Sequence, residues 1–169
     1  MRFGVSGFAV SGFAVLALAG SSFGQPPATP QPPIAGMWKL NTEKSTVRIP
    51  PGATELRQYV MRPDGFLVGL LVTLTGNPQS PLHTLQFTAK SDGKDYPEYA
   101  DQNIADMIAE GKPTARSYAE KKIDDYTTEW VDKQDGRITA QGKKIVSQDR
   151  KTLTITVDGS PLLRIYDRQ

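Results

Sequence analysis

Residues 151–158 read KTLTITVD, and their alternation decides the fold class. Leu153, Ile155 and Val157 face one side of an extended chain, and Thr152, Thr154 and Thr156 the other. That is the period of a strand with one buried and one wet face. Residues 82–89 repeat it, with Leu85, Phe87 and Ala89 opposite Thr84, Gln86 and Thr88. Residues 66–75 (FLVGLLVTLT) are apolar on both faces before turning half polar. Their β-branched content and the Pro63-Asp64-Gly65 turn before them favour a strand over a buried helix.

Turn signals punctuate the chain at Gly76-Asn77-Pro78, Ser91-Asp92-Gly93, Asp124-Asp125, Gln134-Asp135-Gly136, Ser147-Gln148-Asp149 and Asp158-Gly159. Between these and the earlier turns lie 55–62, 114–123, 126–133, 137–146 and 161–167, and almost every connection is too short for a parallel crossover. A flat sheet of nine or ten strands would leave two adhesive edges, which closure removes. The expectation is an all-β, antiparallel up-and-down barrel of 8–10 strands with one short helix. That helix is 101–111 (DQNIADMIAEG), with Ile104, Met107 and Ile108 at helical spacing, Asp101 as N-cap, Gly111 after its end and Pro113 beyond. Its apolar face is expected to cover the barrel mouth or wall.

The chain has 169 residues, no cysteine, and 20 basic against 18 acidic side chains. Disulfides, thiolate metal sites and cysteine nucleophiles are therefore excluded, and the weak net charge speaks against a nucleic-acid partner. Residues 7–19 (GFAVSGFAVLALA) are an apolar run too short to span a bilayer and suited to the core of a signal peptide. Small residues permit cleavage after Ala19 or after Gly24; the proline-rich stretch that follows favours Gly24. Residues 1–24 thus read as a signal peptide, 25–33 (QPPATPQPP) as a proline-rich linker, and 34–169 as the barrel domain. The mature protein is expected to be exported, periplasmic or extracellular, with no stable membrane insertion.

Gly36-Met37-Trp38 opens the first strand, and an arginine lies late in the chain. This set, with the antiparallel meander, resembles the lipocalins and the wider lipocalin-like (calycin-type) barrels. Residues 36–47 (GMWKLNTEKSTV), 89–97 (AKSDGKDYP), 123–130 (IDDYTTEW) and 146–157 (VSQDRKTLTITV) are similar to small secreted bacterial members of unassigned function. The resemblance implies a calyx with an apolar ligand cavity and no catalytic residues. It also implies that Gly36 and Trp38 close the barrel, with an arginine lying across the indole. Arg164 fits that role best, and Arg168 and Lys144 compete for it.

Residue types that carry chemistry are few. His83 is the sole histidine, so a multi-imidazole metal site is impossible; next to Pro81 near a strand start, it reads as lining the mouth or facing solvent. Ser80 is close in sequence, but no Gly-x-Ser-x-Gly elbow exists. Asp92, Asp95, Glu98 and Asp101 have the wrong order for a calcium loop, and nothing in the spacing supports Glu98 with Glu129 as a glycosidase pair. Lys121-Lys122 and Lys143-Lys144 read as solvated positions. No metal, cofactor or catalytic residue is expected. Tyr59, Phe87, Tyr96, Tyr99, Tyr118, Tyr126 and Trp130 are candidates to line a cavity with apolar walls and polar tips, or simply to fill a narrow barrel. Two functions follow: binding of a small apolar or amphipathic ligand without catalysis, or an envelope interaction or structural role for a filled barrel.

Overall fold

The computed structural model describes residues 31–111 and 113–169. The expected signal peptide and most of the expected linker lie outside these residues. Among the described residues ten strands and one helix follow in order: β1 Gly36–Leu40, β2 Thr54–Met61, β3 Leu67–Leu74, β4 Leu82–Ala89, β5 Asp92–Ala100, α1 Asp101–Glu110, β6 Arg116–Lys122, β7 Thr127–Gln134, β8 Arg137–Val146, β9 Thr152–Thr156 and β10 Leu163–Arg168. Each strand pairs antiparallel with its neighbours in sequence, and β1 closes on β10 with Trp38 opposite Arg168. The result is a closed up-and-down barrel, as the alternation and short turns led one to expect. In β9 the alternation holds residue by residue: Leu153 and Ile155 are buried, and the threonines between them only partly so.

Two features depart from the sequence reading. Residues 92–100 form a full strand, β5, where the sequence showed a turn and a run of charges. Gly93, at φ +78°, sits in the irregularity where the β5–β6 register shifts between Asp92 and Asp95. The helix ends as expected, with Gly111 left-handed and its N–H bonded to the Met107 carbonyl at 2.8 Å. Its start differs: Ala100 is the N-cap without a side-chain bond, and the Asp101 carboxylate bonds His83 instead. Helix α1 packs on β4 and β5 at one end of the barrel. No helix among the described residues is long and apolar enough to cross a membrane.

The ends of the barrel differ. One, the helix end, carries α1 and the loop 41–53. At the other, residues 31–35 form a strap leading into β1. Trp38 is fully buried there and donates its indole N–H to the Ile34 carbonyl at 2.8 Å. The Arg168 guanidinium lies 4.2 Å from the indole centroid and donates to the carbonyls of Ala35 and Pro33. Gly36, at φ +136°, is required because a Cβ there would meet that guanidinium. The closure arginine is therefore Arg168, correcting the assignment to Arg164. The register decides between them: Arg168 lies opposite Trp38, while Arg164 lies four residues earlier on β10, opposite Ile155.

Candidate functional site

The inward face of the barrel alternates aromatic with ionisable side chains. Strand β2 contributes Glu55, Arg57 and Tyr59; β6 contributes Arg116, Tyr118 and Glu120; β7 contributes Trp130 and Asp132; β10 contributes Arg164 and Tyr166. Ten strands make a wider lumen than the eight that side chains just fill. The space left is a cavity of about 240 Å³, lined by Arg57, Tyr59, Leu70, Leu71, Leu85, Phe87, Glu98, Tyr118, Trp130, Asp132, Ala140, Lys144, Val157 and Arg164.

Two buried clusters share one design, a cation, a tyrosine and a glutamate bonded together. In the first, Arg57 sits 2.9 Å from the Glu55 carboxylate and donates to the Tyr166 hydroxyl at 2.8 Å, while that hydroxyl donates to Glu55. Arg164 stands further off, 3.8 Å from Glu55. In the second, Lys144 is 3.0 Å from Glu120 and also donates to the Tyr118 hydroxyl, which donates to Glu120 at 2.6 Å. The Ser91 hydroxyl gives Glu120 a further bond at 2.7 Å. Burial alone would raise the Glu120 carboxyl, but the Lys144 charge and these bonds outweigh it and hold it below its ordinary value. The ammonium also lies 4.9, 5.0 and 4.7 Å from the ring centroids of Tyr59, Phe87 and Tyr118. Lys144 is 3% exposed, which overturns its reading as a solvated residue.

Glu98 is 1% exposed and accepts two bonds from Arg116, at 2.7 and 3.0 Å, on one oxygen. Its other oxygen, Oε1, has no protein partner, and neither does the indole N–H of Trp130. Burial pushes Glu98 up to about 7, reinforced by Asp132 and opposed by Arg116. Asp132 is raised as well, by burial, against the pull of Lys144, Arg116 and Arg57.

Four of the seven cavity candidates meet around this space: Tyr59, Phe87, Tyr118 and Trp130. Phe87 stacks on Tyr118 with centroids 3.8 Å apart, and Gly69 on β3 leaves room for the Phe87 ring. Tyr96 instead packs edge-on against Phe66 and bonds Asp92. Tyr99 pairs with Gln86 and takes the opposite face, because Glu98 occupies the inward position. Tyr126 lies in the turn before β7 and lines a different cavity, described below. Arg57, Glu98, Asp132 and Lys144 were missed as lining residues. For Arg57, Glu98 and Asp132 the signal was strand parity with an aromatic two residues away, Tyr59, Tyr96 and Trp130; Lys144 stands between Gly142 and Val146 on its parity and had none.

His83 is bonded at Nδ1 to Asp101 (3.1 Å) and at Nε2 to Ser80 (3.3 Å), an order reminiscent of a hydrolytic triad. The imidazole is 40% exposed, and none of the three residues lines the lumen cavity. Among the described residues, no group of three or more histidines and carboxylates is placed to hold a metal ion.

No family model matches the chain, and no curated protein does. Among solved structures, the crystal structure of wild-type fluorescent protein UnaG is similar, with a TM-score of 0.49 and 14% identity, over 80% of this chain and 97% of that one. A mutant of the same protein gives 0.49 and 13%, over 81% and 96%.

Glu98 gives the fold a pH dependence of definite sign. Its folded pKa lies above its ordinary value, so the native state binds the proton more tightly than the unfolded chain. The associated stability is complete below about pH 4.5 and is lost as pH rises to about 7. Urea denaturation from pH 4 to 8 should show the wild-type chain losing stability relative to Glu98→Gln across that window. A difference that stays flat would mean that Glu98 is solvated or ionised throughout.

Proposed function

We propose that the protein is an exported, non-catalytic binder of a small amphipathic molecule held in the barrel lumen. One observation carries this reading: the cavity of about 240 Å³ is lined by two buried side chains, Trp130 and Glu98, each with an unpartnered polar atom. Leaving such a group unpaired costs about 1–3 kcal/mol, which a ligand of matching polarity recovers. The indole asks for an acceptor, and the carboxylate, when ionised, asks for a donor. Arg57 and Lys144 are already paired with Glu55 and Glu120, leaving little reason for an ionised head group. The best-fitting ligand is therefore neutral, carries an N–H or O–H beside a carbonyl, and lays an apolar flank on Leu71, Leu85 and Phe87. Its size lies below the drug-sized range of roughly 300–1,000 Å³.

The alternative reading, an envelope protein with a filled barrel, is less well supported because the lumen retains this space. The apolar run at 7–19 supports export, and the solvated, open position of the Ser80–His83–Asp101 chain supports a role without catalysis.

One preparation tests all three elements. The full chain is expressed in a secreting host and its product examined by native mass spectrometry. The expected mass is that of a chain beginning at Gln25, carrying a ligand that leaves on denaturation without a covalent trace. Acetanilide, a ring with adjacent N–H and C=O, should then quench Trp130 saturably in the emptied protein, and Trp130→Phe should weaken its binding about fivefold, measured by calorimetry. No bound mass and no response to acetanilide would end the reading.

A further inference from the structure

Lys144 lines two cavities, not one. Beyond it, toward the strap end, lies a second space of about 560 Å³, whose walls include Met61, Leu67 and Val146 and whose lining also carries the charged Lys122, Asp124, Asp125 and Arg150, with Lys122 paired to Asp125. The cluster of Lys144, Glu120 and Tyr118 stands between the two, with Tyr118 on one side and Glu120 on the other. We propose that the lumen is two binding chambers separated by this layer, and that the strap-end chamber takes a flat, neutral, apolar compound bearing a carbonyl oxygen. The proposal rests on the reading of the lumen as a ligand site, but its geometry is independent of the first cavity.

The ligand class follows from the donors at the base of the chamber. An ammonium has three N–H groups, and Lys144 gives one to Tyr118 and one to Glu120. The third is free. Thr128 lies opposite Lys144 in the β7–β8 register, lines the same chamber, and has a buried hydroxyl with no protein partner. Both donors line this chamber, and a carbonyl oxygen, with two lone pairs, suits them. An ionised head would upset the pairing of Lys144 with Glu120 and stand as an uncompensated buried charge. The volume falls within the range of small-molecule sites, and the apolar walls would hold a ring system.

The neutral naphthyl ketone Prodan tests this, with its emission reporting the polarity around it. The wild-type chain should bind one equivalent saturably, with a blue shift. Met61→Trp, at a half-buried wall position of the strap-end chamber, should weaken binding about tenfold, while Leu71→Trp, which fills the other chamber, should leave it within about twofold. Thr128→Val keeps the shape, removes one donor and should weaken Prodan about fivefold. Unchanged circular dichroism and melting midpoint would certify each variant as folded. The proposal is overturned if Leu71→Trp rather than Met61→Trp blocks Prodan, or if Thr128→Val has no effect. Acetanilide binding without Prodan binding overturns the second chamber alone; failure of both probes overturns it together with the reading of the lumen.

Discussion

Lys144→Met should cost about 3–5 kcal/mol of folding stability, because it leaves Glu120 charged and buried without its counter-ion. Methionine retains most of the apolar stem, so packing changes little; the loss is electrostatic. Glu120 is 2% exposed, and the remaining bonds from Tyr118 and Ser91 do not neutralise it. Urea melts at pH 7.5 would measure the change, accompanied by a fall in Tm on the order of 10–20 °C. Adding Glu120→Gln should restore more than half the loss: the amide oxygen accepts from one of the two hydroxyls, the amide N–H can donate to the other, and no charge is left unpaired. A single mutant as stable as the wild type would show that the Lys144–Glu120 pair is open to water, and the wall between the chambers would go with it.

Trp38→Ala should be of similar size, about 3–5 kcal/mol, for a different reason. The indole is fully buried at the strap end and holds residues 31–35 in place in two ways: its N–H anchors the Ile34 carbonyl, and its face supports Arg168, which in turn binds Ala35 and Pro33. Alanine leaves a cavity and removes both anchors. Trp38→Phe keeps a ring beneath the guanidinium and loses the N–H bond, so it should cost only about 1–2 kcal/mol by the same urea measurement. The strap also lines the larger chamber, so Prodan binding should fall with Trp38→Ala even where the chain remains folded. A Trp38→Ala protein of near-native stability would mean that the barrel does not depend on this plug.

The pairing of Lys144 with Glu120 also explains why the candidate site was harder to read than the fold. Alternation is local: the threonines of β9 and the apolar residues between them identify a strand without reference to anything else in the chain. The aromatic candidates Tyr59, Phe87, Tyr118 and Trp130 could be found for the same reason, since large rings on an inward parity have few other places to go. Charged residues on that parity carry an opposite expectation. A lysine beside a lysine reads as solvated until a glutamate 24 positions away is known to lie against it. Tyr166 and Glu55 are 111 positions apart and meet only because β1 and β10 close the sheet. Irregularities move such pairings by whole residues: the shifts between Asp92 and Asp95 and between Asp132 and Lys133 reset what faces what across β5–β6 and β7–β8.

The choice between Arg164 and Arg168 is the same problem in its simplest form. Both have the parity of an inward arginine near the end of the chain, and only the pairing of β10 with β1 places one of them over Trp38. The amino-acid order by itself determined that the chain would form antiparallel strands and turn where glycine, proline and aspartate allow, because those outcomes depend on periodicity and local backbone preference. The tertiary structure alone decided which charges share the interior and where the empty space between them lies. Those depend on strand register and closure, which bring together side chains that no local pattern can pair.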